Sequence, residues 1–270
     1  MATLRLTKQA YNAQVRQLRA RLVQLQVRLK DAPFKVILIL AGPEGAGRGD
    51  LLNRLAEWLD PRGVETITYQ SPSDEEKARP HQWRFWRSLP GLGRIGLQVG
   101  SWYTETLREE ARGRRARDQL AREADRIRDF EKLLADDGTL IVKVWLQISE
   151  KAQGRRLRAL RADPDTAWRV TEEDWHHHRI YGRLAETAQF IRRRTNRPGA
   201  RWTVIDAEDE RARDLAVARL LLDEFARQER KLARLAPARA ARVVRPLRPA
   251  GLRRLQALPL DQEMSEEVYD

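Results

Sequence analysis

The stretch Phe34–Asp50, FKVILIL followed by AGPEGAGRGD, decides the reading of this chain. A short apolar run rich in β-branched residues, closed by glycines and followed by a helical pattern, predicts a strand, a phosphate-cradling loop and a helix. Glycine lets such a backbone curl until successive N–H groups point inward at an anion, and the helix adds the positive end of its dipole. Gly42 and Gly47 have the spacing of the pattern G-x-x-x-x-G-K-[ST]. The phosphate-binding candidates are therefore Gly42, Gly45, Ala46, Gly47, Arg48 and Gly49. Against the pattern, Arg48 stands where Lys is expected, and Gly49 where Ser or Thr would hold Mg²⁺. A Gly-rich turn without a ligand is the plain alternative.

Before this stretch, residues 7–30 predict a helix, with Leu18, Leu22, Leu25 and Leu29 at helical spacing and Thr7 as N-cap. After it, a helix through Leu51, Leu52, Leu55 and Trp58 stops at Asp60-Pro61-Arg62-Gly63. Further strands are predicted at Val64–Tyr69, Arg94–Val99, Thr139–Ile148 and Trp202–Asp206. Pro72–Pro80 reads as an acidic loop or helix start, and Gln82–Leu89 as an aromatic helix. Other helices fall at 104–137, Glu150–Arg161, from the cap-like Thr171 through Arg194, and Glu208–Arg230. Strands alternating with helices predict an α/β fold: a mostly parallel five-stranded sheet between two helical layers, with an N-terminal helix. Lys231–Arg254 is rich in Ala, Pro and Arg without a sustained period and reads as a basic linker.

Composition narrows the function classes. The net charge of +13 points to an anionic partner such as nucleic acid, acidic lipid or a polyanion, unless it reflects only an Arg-rich compositional bias. No run approaches the ~20 apolar residues of a membrane span, and no signal-peptide pattern opens the chain, so a cytoplasmic protein is expected. The absence of cysteine excludes disulfides and thiolate chemistry. His176, His177 and His178 point about 100° apart on a helix, cannot converge on one metal, and read as solvated helix surface.

With these motifs in place, the chain resembles the polyphosphate kinase 2 family. Trp58-Leu59-Asp60-Pro61-Arg62-Gly63 is similar to its W-L/M-D-P-R-G, and Arg84 lies where the family places an Arg ahead of L-P. Leu97–Tyr103 aligns with F-D-R-S-W-Y, Phe130–Gly138 with F-E-K-x-L-x-x-D-G, and Trp202–Asp209 with W-x-x-V-x-A-D-D. The resemblance covers roughly residues 7–230. It implies a P-loop kinase-like fold with a helical lid at about 150–195 that moves phosphoryl groups between inorganic polyphosphate and AMP or ADP with Mg²⁺. On this basis Glu44, Arg48 and Arg84 are catalytic candidates, Glu44 is the metal candidate, and Arg155, Arg156 and Arg158 belong to the lid and the polyphosphate chain. In the family's loop, G-x-D-A-A-G-K-G, Gly follows the Lys, so Gly49 conforms.

Three departures qualify the expected activity. Glu44 replaces the loop Asp, Arg48 the loop Lys, and Val99-Gly100 the Asp-Arg at the strand end. Val99 cannot ligate metal, and Arg48 is a planar fork rather than a point charge. Such losses typically cost about 10²–10³ in rate each. The weakened loop resembles the N-terminal half of two-domain polyphosphate:AMP phosphotransferases. Met264–Asp270 also repeats the pattern of Leu6–Asn12, as though a second copy were beginning. The division expected is a helical extension at 1–32, a phosphotransferase-like domain at 33–230, and a linker leading towards a second repeat at 231–270. A homo-oligomer or a second homologous domain is the expected protein partner. A non-catalytic polyphosphate- or nucleotide-binding scaffold is the alternative function, and nucleic acid the weaker ligand.

Overall fold

The computed structural model describes residues 7–113 and 116–243, with side chains as far as residue 235. Five strands form one sheet: β1 (Val36–Ala41), β2 (Val64–Thr68), β3 (Ile95–Val99), β4 (Leu140–Gln147) and β5 (Trp202–Asp206). Their order is β2-β3-β1-β4-β5, and every pairing is parallel.

The apolar run of β1 takes the central position because both faces of that strand are covered. Ile37 and Ile39 enter a cluster with Ile127, Phe130 and Leu134 of α6 (Arg117–Asp136) and Ile191 of α9 (Tyr181–Thr195). Strand alternation turns Val36, Leu38 and Leu40 to the opposite face, where they are equally buried. Each such side chain contributes roughly 1.5–3 kcal/mol by leaving water.

The N-terminal helix α1 (Lys8–Lys30) is capped by Thr7, whose hydroxyl accepts from Ala10 N at 3.2 Å. Its leucine stripe, Leu18, Leu22, Leu25 and Leu29, is buried. The Gln26 side chain bonds both backbone groups of Asp60, at 2.9 and 2.7 Å, fixing α1 to the turn that ends α2 (Arg48–Trp58).

Several boundaries differ from those expected. The stretch 104–137 divides into α5 (Thr104–Ala111) and α6, because Gly113 turns left-handed at φ 67. The helix expected through Arg194 is two, α8 (Glu172–Arg179) and α9, broken at Ile180 with φ −109 and ψ 22. Short helices α3 (Asp74–Lys77), opened by a Ser73 capping box, and α4 (Trp83–Arg87) fill the acidic and aromatic stretches. The segment α7 (Glu150–Ala162) lies close to its expected place.

The closing helix α10 spans Glu210–Val243, so the first half of the expected linker is helical. Ala, Arg and Leu, all strong helix formers, supply most of Lys231–Val243 and outweigh the lack of an amphipathic period. The remainder of that segment, with Met264–Asp270, lies outside the described residues. The chain divides into two compact units after Ala226, and the first holds the sheet and the site.

The topology also marks where a ligand belongs. From the adjacent strands β1 and β3, the chain leaves towards opposite sides of the sheet, opening a crevice at their carboxyl ends. The glycine loop lies at that crevice.

Candidate functional site

The loop from Gly42 to Gly47 joins β1 to α2, with Gly47 in the N-cap position at φ 80. Two glycines are required by what surrounds them. A Cβ on Gly42 would lie 2.6 Å from the Leu146 carbonyl oxygen, and one on Gly47 would lie 1.9 Å from Arg213 Nη1. Ala46 is fully buried. By contrast, a Cβ on Gly49 would meet nothing within 4 Å.

Charged side chains surround the loop unevenly. Arg48 Nη2 is 3.3 Å from Glu44 Oε1, and His177 Nδ1 approaches the same oxygen at 3.5 Å. Burial pushes the Glu44 carboxyl up, but Arg48 and His177 outweigh it and hold it at about 2. The hydrogen bond to Glu44 in turn raises His177, against its burial. Gln153 Nε2 donates to the Glu44 carbonyl at 3.1 Å.

This corrects the expectation of solvated surface for His177 and His178, which are partly buried, while His176 is exposed as expected. The His177 side chain is only 12% exposed, His178 Nδ1 meets Gln153 Oε1 at 2.9 Å, and His176 Nε2 lies 3.3 Å from Ala111 O. They do diverge, as helical geometry requires, and each meets a different element.

Two cavities meet at Glu44, Arg48 and Val99. The first, of 290 Å³, has a wall of rings and aliphatics: Tyr69, Tyr103, Trp145, Tyr181, Leu107 and Leu184. The second, of 390 Å³, runs along the N-terminus of α2 beneath α7 and is lined by charge, including Arg48, Arg156, Arg169, Asp50, Asp174 and Glu210. Arg169 Nη2 donates to Asp50 at 3.0 Å across it.

The remaining arginine candidates separate. Arg156 donates to the carbonyls of Gly45 at 2.8 Å, Ala207 at 2.7 Å and Glu208 at 3.0 Å, so its guanidinium is occupied by backbone. Arg155 and Arg158 are exposed on α7 and line neither cavity. Arg84 stands behind the first cavity. It donates to Gln70 O at 3.0 Å, lies over the Tyr69 ring at 5.4 Å and has Nε 3.4 Å from Glu76.

At the loop itself the ligands expected for Mg²⁺ are not in place, although Asp50, Asp174 and Glu210 line the charged cavity beside it. No group of three acidic or histidine side chains able to hold a metal occurs among the described residues. The loop carboxylate, Glu44, is already engaged by Arg48 and His177, and Val99 ends β3 without a side-chain oxygen donor. Gly100, next along, has φ 76, and a Cβ there would meet Tyr69 O at 3.2 Å, so a side chain at that position is strained.

Sequence reasoning missed His177, Arg213 and the aromatic wall. No local signal marks them, because each is brought to the loop by a distant element.

Comparison with known proteins agrees with this architecture. The sequence profile of polyphosphate kinase 2 matches residues 5–233. A polyphosphate:AMP phosphotransferase of Pseudomonas aeruginosa is 38% identical over 97% of this chain and 53% of its own length. A protein of the same name from Pseudomonas syringae pv. tomato is 36% identical over 96% of this chain and 52% of its own. This chain thus spans about half the length of these curated relatives. The crystal structure of polyphosphate kinase 2 from Arthrobacter aurescens TC1 superposes with a TM-score of 0.78 at 30% identity, over 82% of this chain and 80% of that one.

Proposed function

The chain belongs to the polyphosphate kinase 2 family, and on that premise we propose that its loop binds phosphate groups shared between a nucleotide and an inorganic polyphosphate chain. The observation that carries this reading is the meeting of two unlike cavities at Glu44 and Arg48. The ring-lined cavity suits a nucleobase, which has two apolar faces for Tyr69, Tyr103, Trp145 or Tyr181. The charged cavity suits a phosphate chain, with Arg48 and Arg169 near the N-terminus of α2. An AMP or ADP phosphate would then face the end of the polyphosphate at the loop. Phosphoryl transfer needs little beyond such alignment and charge stabilisation, and no covalent nucleophile.

In this geometry Arg48 must release Glu44 to grip phosphate, and His177 takes up the freed carboxylate. A cytoplasmic location suits these substrates. Arg155 and Arg158, exposed on α7, remain candidates for a polyphosphate chain that extends beyond the charged cavity, whereas Arg156 is better placed as a support of the loop.

A second reading is favoured by Val99 and by the engagement of Glu44: the site binds these ligands without transferring phosphate at an appreciable rate. One experiment separates the two. The chain is incubated with polyphosphate, Mg²⁺ and AMP or ADP, and nucleotide products are followed, with ligand-induced thermal shifts measured in parallel. Binding without turnover, recovered in part by Val99→Asp with Arg48→Lys, supports the binding reading. Robust turnover by the unsubstituted chain, abolished by Glu44→Ala, supports transfer. Absence of any shift with polyphosphate, ATP or ADP at low salt removes both.

A further inference from the structure

The carbonyl groups of the glycine loop are held from outside by two arginines on different elements. Arg156 of α7 donates to Gly45 O at 2.8 Å, and its other terminal nitrogen binds Ala207 O and Glu208 O, at the turn between β5 and α10. Arg213 of α10 donates to Ala46 O at 3.2 Å. Arg213 is 1% exposed, and its guanidinium takes the space that any side chain at Gly47 would need. Carbonyls held in this way fix the loop backbone: Ala46 N–H closes a turn onto Pro43 O at 3.2 Å, and Gly47 N–H, opposite the Ala46 carbonyl that Arg213 holds, is the group left for an anion.

Arg213 is itself held. Its Nε and Nη2 lie 2.9 and 2.8 Å from Asp214 Oδ1, while Asp214 Oδ2 accepts from Tyr11 Oη of α1 at 3.3 Å. Arg54 of α2 approaches the same carboxylate at 3.8 Å. A guanidinium buried without a partner would be expensive, so the carboxylate is what allows Arg213 to sit there. The path runs Tyr11, Asp214, Arg213, Ala46, and connects the N-terminal helix to the phosphate loop.

We propose that Arg213 and Arg156 are positioning residues of the phosphate loop, and that Tyr11 on α1 is the outer end of the Arg213 arm. The N-terminal helix is then part of the anion site rather than an appendage to it. Arg213 lines neither cavity, and Arg156, although it borders the charged one, has both terminal nitrogens engaged by carbonyls. Both set the direction of the backbone groups that meet the ligand. The proposal rests on the phosphate-binding reading of the loop.

The test is the affinity of the full chain for tripolyphosphate by titration calorimetry, with Arg156→Gln, Arg156→Lys, Arg213→Lys and Tyr11→Phe, each measured well below its melting temperature. Arg156→Gln and Arg213→Lys are expected to weaken binding about tenfold or more, and Arg156→Lys to recover part of that loss by reaching one carbonyl. Tyr11→Phe is expected to weaken binding about twofold to fivefold although Tyr11 lines neither cavity. Faster amide exchange at Gly45–Gly47 in the weakened variants would accompany the loss. A purely structural role would lower melting temperatures and leave the affinity of the folded protein unchanged. If Arg213→Lys fails to fold, Arg156→Gln and Tyr11→Phe still decide the question. Parent-like affinity in both overturns the proposal while the phosphate-binding reading stands. No binding by the unsubstituted chain overturns both together.

Discussion

Lys143 and Glu131 form an ion pair sealed from solvent, with Nζ 2.7 Å from Oε2 and no exposed surface on either side chain. The same ammonium donates to Tyr103 Oη and to Thr195 O, each at 3.0 Å. Glu131 Oε1 accepts from Trp102 Nε1 at 3.1 Å and from Tyr103 Oη at 2.5 Å. Burial pushes the Lys143 amine down and Glu131 opposes it, while burial first and Glu131 second push the Tyr103 hydroxyl well up. The pair thus gathers β4, α6, α9 and the Ser101–Tyr103 turn into one hub behind the ring-lined cavity.

Removing one member of this hub leaves buried charge without compensation. Glu131→Ala is expected to destabilise the fold by about 3–5 kcal/mol. Replacing both, Lys143→Met with Glu131→Leu, should cost clearly less than the sum of the single changes, since neither charge is left behind. Urea denaturation of the three variants checks this. Additive losses would mean the two charges do not depend on one another.

Gln98 presents the opposite case. It lies on β3 opposite Ile39 and Ile67, is fully buried, and its amide has no hydrogen-bond partner among the described residues. An unmet amide of this kind costs roughly 1–3 kcal/mol. Gln98→Leu should therefore raise stability by a similar amount in denaturant unfolding. A loss of stability would show that the amide has a partner in solution, such as a buried water.

The contact between loop and α8 has a defined pH window. Glu44 is held at about 2, below its ordinary 4.5, so its contribution is present above pH 4.5 and is lost as pH falls towards that lower value. His177 is raised above its ordinary 6.5 by Glu44, with Glu173 and Asp174 adding to the rise. Its contribution is present below pH 6.5 and is lost as pH climbs through the folded value. Melting curves of the parent and His177→Ala should differ most between these limits and converge in alkali. A difference that does not vary with pH would assign the effect to packing alone.

The glycines of the loop are not equivalent. Gly47→Ala forces a Cβ into Arg213 at a positive φ, and should reduce both stability and the thermal shift given by polyphosphate. Gly49→Ala places its Cβ in open space within the first turn of α2. Its stability should be unchanged or higher by about 0.4–1 kcal/mol, because alanine restricts the unfolded chain. Thermal unfolding with and without polyphosphate distinguishes the two.

Much of this protein is legible in one dimension. The continuous apolar run of β1, the glycine spacing after it, the Thr7 cap and the stop at Asp60–Gly63 are local signals, and the structure follows each of them. Spacing alone also showed that three adjacent histidines cannot share a metal. Local signals are too weak where two helices replace one: Gly113 marks the first break, but at the second Ile180 is neither Gly nor Pro and Gly182 lies within the following helix. They fail beyond Arg230, where helix propensity overrides the missing amphipathic period.

What only the tertiary structure decided is the chemistry around the loop. His177 reaches Glu44 because α8, packed on α7 and α9, comes up against the loop, and Arg213 reaches Ala46 because the first turn of α10 does the same. In the sequence these residues stand far from the loop, and nothing in their neighbours distinguishes them from solvated arginines and histidines. Local sequence determines which backbone can curl around an anion, because φ preference and apolar period are properties of single residues and their neighbours. Which charges face that backbone, and whether Glu44 is left for a ligand or held by Arg48 and His177, depends on packing between elements, and only the folded chain specifies it.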